Sequence, residues 1–133
     1  MKYVYFFFLL ILFTNAASSS NYYQDAFLNF ENNNFEKTIR YLEKNIVFNP
    51  KSSESYMLLG KAYSELSDLD KSYKYYNIAF TLSPENKELN FLLGEKSYEL
   101  GLIEEYGEYI SNLEIICSGS CNEIDNLKQL TSE

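Results

Sequence analysis

The sequence predicts an all-α protein, a stack of about three helix–turn–helix repeats that a short C-terminal helix closes. Leu59-Gly60 recurs as Leu93-Gly94, and Pro50 recurs as Pro84, so both motifs recur at the same offset. A period within roughly 20–50 residues is typical of units that stack on one another. We call the step from position 59 to position 93 the repeat offset. Between these markers, apolar residues recur every three or four positions, which is the spacing of amphipathic helices.

The N-terminal segment has the pattern of a secretory signal peptide. Met1-Lys2 supplies a positive start, Tyr3–Phe13 is apolar, and Thr14–Ala17 offers small residues for cleavage after Ala16 or Ala17. The apolar run is shorter than the roughly 20 residues that span a bilayer. We therefore expect a signal peptide over 1–16, a linker over 17–20 and export through the secretory pathway to a periplasmic or extracellular location. An uncleaved anchor is the alternative; the mature chain is expected to have no stable membrane span.

The first repeat is predicted over about residues 20–52. It is assigned mainly from the period, because Asp25 and Asn29 stand where the second repeat has Leu59 and Tyr63. Its second helix runs from about Phe35 to Phe48. The side chains of this helix that are predicted to face inward are Phe35, Ile39, Leu42, Ile46 and Val47.

The second repeat is predicted over 53–86, and it is the clearest of the three. Asn49 or Ser52 caps its first helix, and Ser67-Asp68 forms the turn to the second. Gly60 lies inside a helix, where Gly costs about 1 kcal/mol relative to Ala. We expect it to permit close approach of a neighbouring helix backbone.

The third repeat is predicted over 87–117. Ser83-Pro84-Glu85 supplies a cap and a first-turn proline, and Gly101 suits a left-handed helix end. The side chains predicted to face inward from the second helix are Ile103, Tyr106, Ile110, Leu113 and Ile116. A last helix over about 122–130 is expected to cover the apolar end of the stack.

The second repeat resembles a tetratricopeptide repeat (TPR). The matching positions are Tyr56, Leu59, Gly60, Tyr63, Ala79 and Pro84. Ser72 and Tyr76 stand where that family usually has Ala and Phe, and the flanking repeats are degenerate. The resemblance implies a right-handed stack, and a non-catalytic adaptor whose first helices line a concave groove where peptides commonly bind.

The repeat offset then places rows of side chains along that groove. The residues so predicted are Tyr23, Phe27, Phe30, Met57, Lys61, Ser64, Glu65, Phe91, Glu95 and Tyr98. Aromatic anchors favour an apolar partner segment, and the Glu residues favour Lys or Arg on it. The alternative is that the aromatic side chains simply pack against their own second helices. Grooves of this family that hold the acidic C-terminal tail of chaperones use several basic residues; because Lys61 stands almost alone here, that subtype is not expected.

Composition argues against catalysis and against nucleic acid. The chain has no His, which removes the commonest general base and zinc ligand. It contains no phosphate-binding Gly-rich loop and no Ser nucleophile motif. The net charge of −8 disfavours contact with phosphates. We therefore expect no enzyme, no cofactor, no metal and no nucleic-acid partner, but a protein or peptide partner.

Two further features bear on function. Cys117 and Cys121 are separated by Ser-Gly-Ser and can form a disulfide in an oxidising compartment; free thiols are the alternative. Residues 88–133 carry ten acidic side chains against Lys96 and Lys128. Such an end either prevents further stacking or docks a basic partner. The competing function is a structural or envelope-associated module that acts through self-association, as a homo-oligomer, or through its convex face.

Overall fold

A computed structural model describes residues 21–132, and within this range the chain is helical without strands. Three helix pairs are followed by a last helix, which confirms the predicted fold class. The helices are α1 Tyr22–Glu31, α2 Phe35–Phe48, α3 Ser53–Glu65, α4 Leu69–Leu82, α5 Lys87–Glu99, α6 Ile103–Ile116 and α7 Asn122–Leu130. The signal-peptide and linker predictions fall on residues 1–20 and lie outside the described residues. Among residues 21–132, no helix is both long and apolar enough to cross a bilayer.

The same type of turn joins the two helices of each of the three pairs, and it recurs at the repeat offset. Asn33, Ser67 and Gly101 have positive φ angles of 57°, 59° and 73°. In each turn the next residue donates its backbone N–H to the carbonyl five residues before it, at 2.8–2.9 Å. This bond satisfies a carbonyl that the helix end leaves unpaired. The sequence predicts the left-handed conformation only at Gly101, because glycine adopts it without strain.

The core is divided into three clusters along the stack. The first is built around Leu42 and Leu59, the second around Tyr76 and Leu93, and the third around Leu127 and its neighbours on α6. Helix α7 covers the third cluster and so keeps the apolar end of the described stack out of water.

Buried polar side chains link neighbouring helices. The side-chain amide of Asn45 on α2 donates to Ser55 Oγ on α3 at 2.8 Å, and Ser53 Oγ donates to the carbonyl of Ala79 on α4 at 3.0 Å. Because an unpaired buried polar group is costly, these bonds fix how the helices register against one another.

Two predictions of inward-facing residues are wrong. Val47 is 75% exposed and Ile103 is 62% exposed. The buried face of α2 includes Leu42 and the polar Asn45, whose side chain hydrogen-bonds to Ser55. Val47 lies outside this face and is therefore exposed to solvent. Ile103 is the first residue of α6, and Tyr109 is buried instead.

Helix α3 is capped by Ser52, one of the two predicted residues, whereas α5 begins later than Ser83-Pro84-Glu85 predicts. Ser52 Oγ accepts the N–H of Ser55, and Asn86 Oδ1 accepts the N–H of Leu89 at 3.0 Å. Pro84 therefore lies in the turn before α5, and Ser83 is not the cap. The N-cap of each helix is the residue whose side-chain oxygen accepts a hydrogen bond from the backbone N–H three residues later.

Candidate functional site

A groove lies on one side of the stack, where residues of α1, α3, α4 and α5 line a cavity of about 320 Å³. Five of the predicted groove residues are in its wall. The lining side chains are Phe30, Lys61, Ser64, Glu65, Tyr76, Glu88, Leu92, Glu95 and Lys96.

The other predicted residues are held largely by packing. Tyr23, Met57 and Phe91 are half-buried, and each contacts a core cluster, the first, second and third respectively. Tyr98 packs on the third cluster, and Phe27 is exposed. The aromatic side chains therefore pack as the alternative expects and still leave part of their surface in solvent. Replacing them would remove core contacts, so polar groove residues make cleaner tests of binding.

Three carboxylates and two lysines line the groove, and both lysines, Lys61 and Lys96, are already in ion pairs. One ion pair crosses it and joins Lys61 Nζ on α3 to Glu88 Oε1 on α5. Among the described residues, Glu54, Glu65 and Glu95 form no ion pair. Of these three carboxylates, Glu65 and Glu95 line the groove, so their charge is available to a cationic partner.

The titration of nearby groups reflects this charge. Burial, opposed by Lys96, raises the pKa of Glu95 above its ordinary value. Burial and the charges of Glu54 and Glu88 raise the pKa of Tyr23. Burial is the larger cause of both shifts, and the negative charge around the groove contributes to the Tyr23 shift through Glu54 and Glu88.

Tyr76 is a groove residue that the sequence does not predict, because it comes from a second helix. Its ring crosses Gly60: a Cβ atom on Gly60 would lie under 3.0 Å from both Cδ1 and Cε1 of the ring. The expectation that Gly60 admits a helix backbone is therefore wrong, since it admits an aromatic side chain. In the first repeat the equivalent positions hold Ala26 and Leu42. The sequence does contain a sign of this packing: where the first repeat pairs Ala26 with Leu42, the second pairs the smaller Gly60 with the larger Tyr76.

One cluster of potential metal ligands occurs in the described part of the chain. Side-chain atoms of Cys117, Cys121 and Glu123 lie within 4.8 Å of one another. The two cysteines are joined as a disulfide with Cα atoms 5.9 Å apart, a normal separation for such a bond. Because a metal needs thiolates, the oxidised pair offers it no sulfur ligand. We assign no cofactor or metal to this cluster.

Comparison with known proteins identifies the fold. No protein-family model and no curated protein sequence matches the chain. The first TPR domain of Spaghetti (RPAP3) bound to the HSP90 peptide SRMEEVD is similar, with 15% identity, a TM-score of 0.72, and 84% of this chain and 91% of that chain covered. The Sgt2 TPR domain from Aspergillus fumigatus has 14% identity and a TM-score of 0.73, with 89% and 82% covered. The Yersinia enterocolitica type III secretion chaperone SycD in complex with a peptide of the translocator YopD has 15% identity and a TM-score of 0.72, with 90% and 100% covered. The described chain thus has the fold of TPR domains, and at these identities the similarity extends to the fold alone.

Proposed function

We propose that this chain is a non-catalytic adaptor whose concave groove binds an extended segment of another protein, and that the segment combines apolar residues with Lys or Arg. The observation that carries this proposal is that two carboxylates of the groove lining, Glu65 and Glu95, form no ion pair among the described residues and lie in the same wall as the half-buried ring of Phe30. Two structures of the same fold hold peptides, an HSP90 peptide and a translocator peptide, which supports the use of such a fold for peptide binding.

The charge of the groove sets the kind of segment. The HSP90 peptide SRMEEVD that the RPAP3 domain binds is acidic at its C-terminal end. In this chain the same kind of peptide would meet Glu65 and Glu95, while Lys61 is already paired with Glu88. Like charges across an interface disfavour a wrong partner. The groove therefore selects against acidic segments and in favour of cationic ones.

We also propose that the protein is exported through the secretory pathway and works in a periplasmic or extracellular location. The pattern of residues 1–16 supports this, and so does the Cys117–Cys121 disulfide, because such bonds persist in oxidising compartments. Intact-mass measurement of the protein from its native source should give a chain that starts at Ala17 or Ser18. A chain that retains Met1 or Lys2 would overturn cleavage.

Glu95→Gln should move stability and binding in opposite directions. The pKa of Glu95 is raised in the folded state, so this group favours folding at pH values below its unfolded pKa, and that contribution is lost as pH rises through the folded pKa. At neutral pH its charge therefore opposes folding, and the neutral amide should raise Tm. The same change should weaken the binding of a cationic peptide, with a Kd that rises roughly five-fold, equal to about 1 kcal/mol.

The probes are two short synthetic peptides that share their Leu and Phe residues and differ only in carrying Lys or Glu. Fluorescence anisotropy gives Kd, and thermal unfolding gives Tm. The matched control is Asp70→Asn on α4, which is exposed outside the groove lining and should leave peptide binding unchanged. Tighter binding of the Glu peptide, or equal effects of the two substitutions on Kd, would count against the proposed groove.

A further inference from the structure

The N-terminal end of the stack presents a surface that the other repeats bury. In the second and third repeats, Tyr75 and Tyr109 pack back into the core cluster of the repeat before them. Tyr41 occupies the same position in the first repeat, one repeat offset before Tyr75, but no described repeat precedes it. It packs against the first core cluster and also lines an open cavity of about 620 Å³. Beside it, Val47 and Phe48 are 75% and 70% exposed.

This N-terminal surface is basic. Lys37, Arg40 and Lys44 line the cavity, with the carboxylate of Glu43 in the same wall. Among the described residues, none of the three cations forms an ion pair. Lys44 instead lies over the rings of Tyr22 and Tyr41, with Nζ 5.9 and 5.7 Å from their centroids. The charge of this surface is thus available to an acidic partner.

The complementary surface is on the same chain, on α6 of the last repeat. Glu105 and Glu108 of α6 occupy the positions that Lys37 and Arg40 hold in the first repeat, two repeat offsets earlier. Glu104 adds a third carboxylate. The described cations near this end, Lys87, Lys96 and Lys128, are already paired with Glu123, Glu99 and Glu114. The side chains of Ile103 and Ile115 are exposed on the same helix. This acidic surface of α6 is therefore opposite in charge to the basic one.

We propose that the basic N-terminal surface of one copy docks on the acidic α6 surface of a second copy. The two surfaces differ, so the contact is heterologous, and each added copy leaves one surface of each kind free. The copies therefore add head to tail in an open chain. Neither surface includes the groove residues, so this association is independent of the proposed peptide binding.

Two neutralised variants test the proposal. One carries Lys37→Gln, Arg40→Gln and Lys44→Gln, and the other carries Glu104→Gln, Glu105→Gln and Glu108→Gln. Sedimentation uses the processed chain, because residues 21–132 contain every described helix and all three core clusters. If the native protein retains residues 1–16, the unprocessed chain is used instead. Circular dichroism verifies that each variant is folded, and sedimentation velocity measures mass against concentration.

The wild-type mass should rise with concentration beyond that of a dimer at low salt. It should fall towards the monomer at roughly 0.5 M salt, where charges are screened within a few ångströms. Each variant alone should stay monomeric. A mixture of the two should form a one-to-one pair and stop there, since each supplies one intact surface.

The control is Lys71→Gln with Lys74→Gln, which removes cations at the equivalent positions of the middle repeat and should leave the association unchanged. A wild-type chain that stays monomeric would overturn the proposal and would point to residues 1–20 or a different acidic protein as the occupant. A wild-type chain that stops at a closed dimer would overturn the head-to-tail arrangement.

Discussion

Gly60→Ala is expected to destabilise the protein, although Ala is the better helix former. The added Cβ would lie under 3.0 Å from two ring atoms of Tyr76, and this side chain is 1% exposed, so the ring has no solvent to move into. Overpacking of this kind costs about 1–3 kcal/mol, against a gain in helix propensity of about 1 kcal/mol. Urea unfolding should show a net loss of up to about 2 kcal/mol.

A second substitution should reverse much of this loss. The first repeat has Ala26 opposite Leu42 where the second has Gly60 opposite Tyr76. Tyr76→Leu combined with Gly60→Ala rebuilds that pair, and the cycle should give a coupling of about 1 kcal/mol or more. Gly107→Ala is the control: nothing lies within 4 Å of its added Cβ, so it should stabilise the helix by up to about 1 kcal/mol. Strict additivity between positions 60 and 76 would show that the ring is not the obstacle.

Leu127→Ala is expected to cost about 2–5 kcal/mol, a large fraction of the stability of a small domain. The side chain is fully buried and fills the space beside Gly94, where an added Cβ would lie 2.6 Å from Leu127 Cδ1. The hydroxyl of Tyr106 donates to the backbone carbonyl of Leu127 at 2.6 Å, and the substitution keeps that bond. The predicted loss therefore comes from packing alone.

Equilibrium unfolding measures this loss, and native-state hydrogen exchange locates it. Protection should fall first in α7 and the neighbouring part of α6, while α1–α3 keep theirs, because the stack opens in local units. Gln129→Ala, exposed on the same helix, should stay within about 0.5 kcal/mol of the parent. If both substitutions were equally mild, α7 would not be packed against the stack as described.

The repeat period predicts the helix pairs well, because each pair must bury its apolar face against the next. This holds even for the first repeat, where Asp25 replaces the Leu59 of the second, since Ala26 and Phe30 still pack into the core. The turns within the helix pairs also recur at the repeat offset, although the residue type of Ser67 does not predict a left-handed conformation.

The sequence-based predictions fail where a contact between two helices determines which way a side chain faces. Ile46 and Val47 are adjacent apolar residues, and it is the hydrogen bond from Asn45 to Ser55 that turns Val47 outwards. Tyr76 reaches the groove only because Gly60, on another helix, leaves room for its ring. Neither contact can be read from the pattern of a single helix.

The groove's electrostatics are predicted in part. The repeat offset assigns Glu65 and Glu95 to one surface, and both line the cavity. The pairing of Lys61 with Glu88 depends on how α3 and α5 are placed, so the sequence cannot show that this cation is already neutralised.

The central claim is that the concave groove binds a cationic, apolar segment. Amide chemical shifts of the isotope-labelled protein, followed during titration with the Lys-containing peptide, test it most directly. We expect saturable shifts that centre on Lys61, Ser64, Glu65 and Glu95, and none of comparable size with the Glu-containing peptide. Saturable shifts that centre instead on the outward faces of α2, α4 and α6 would contradict the claim.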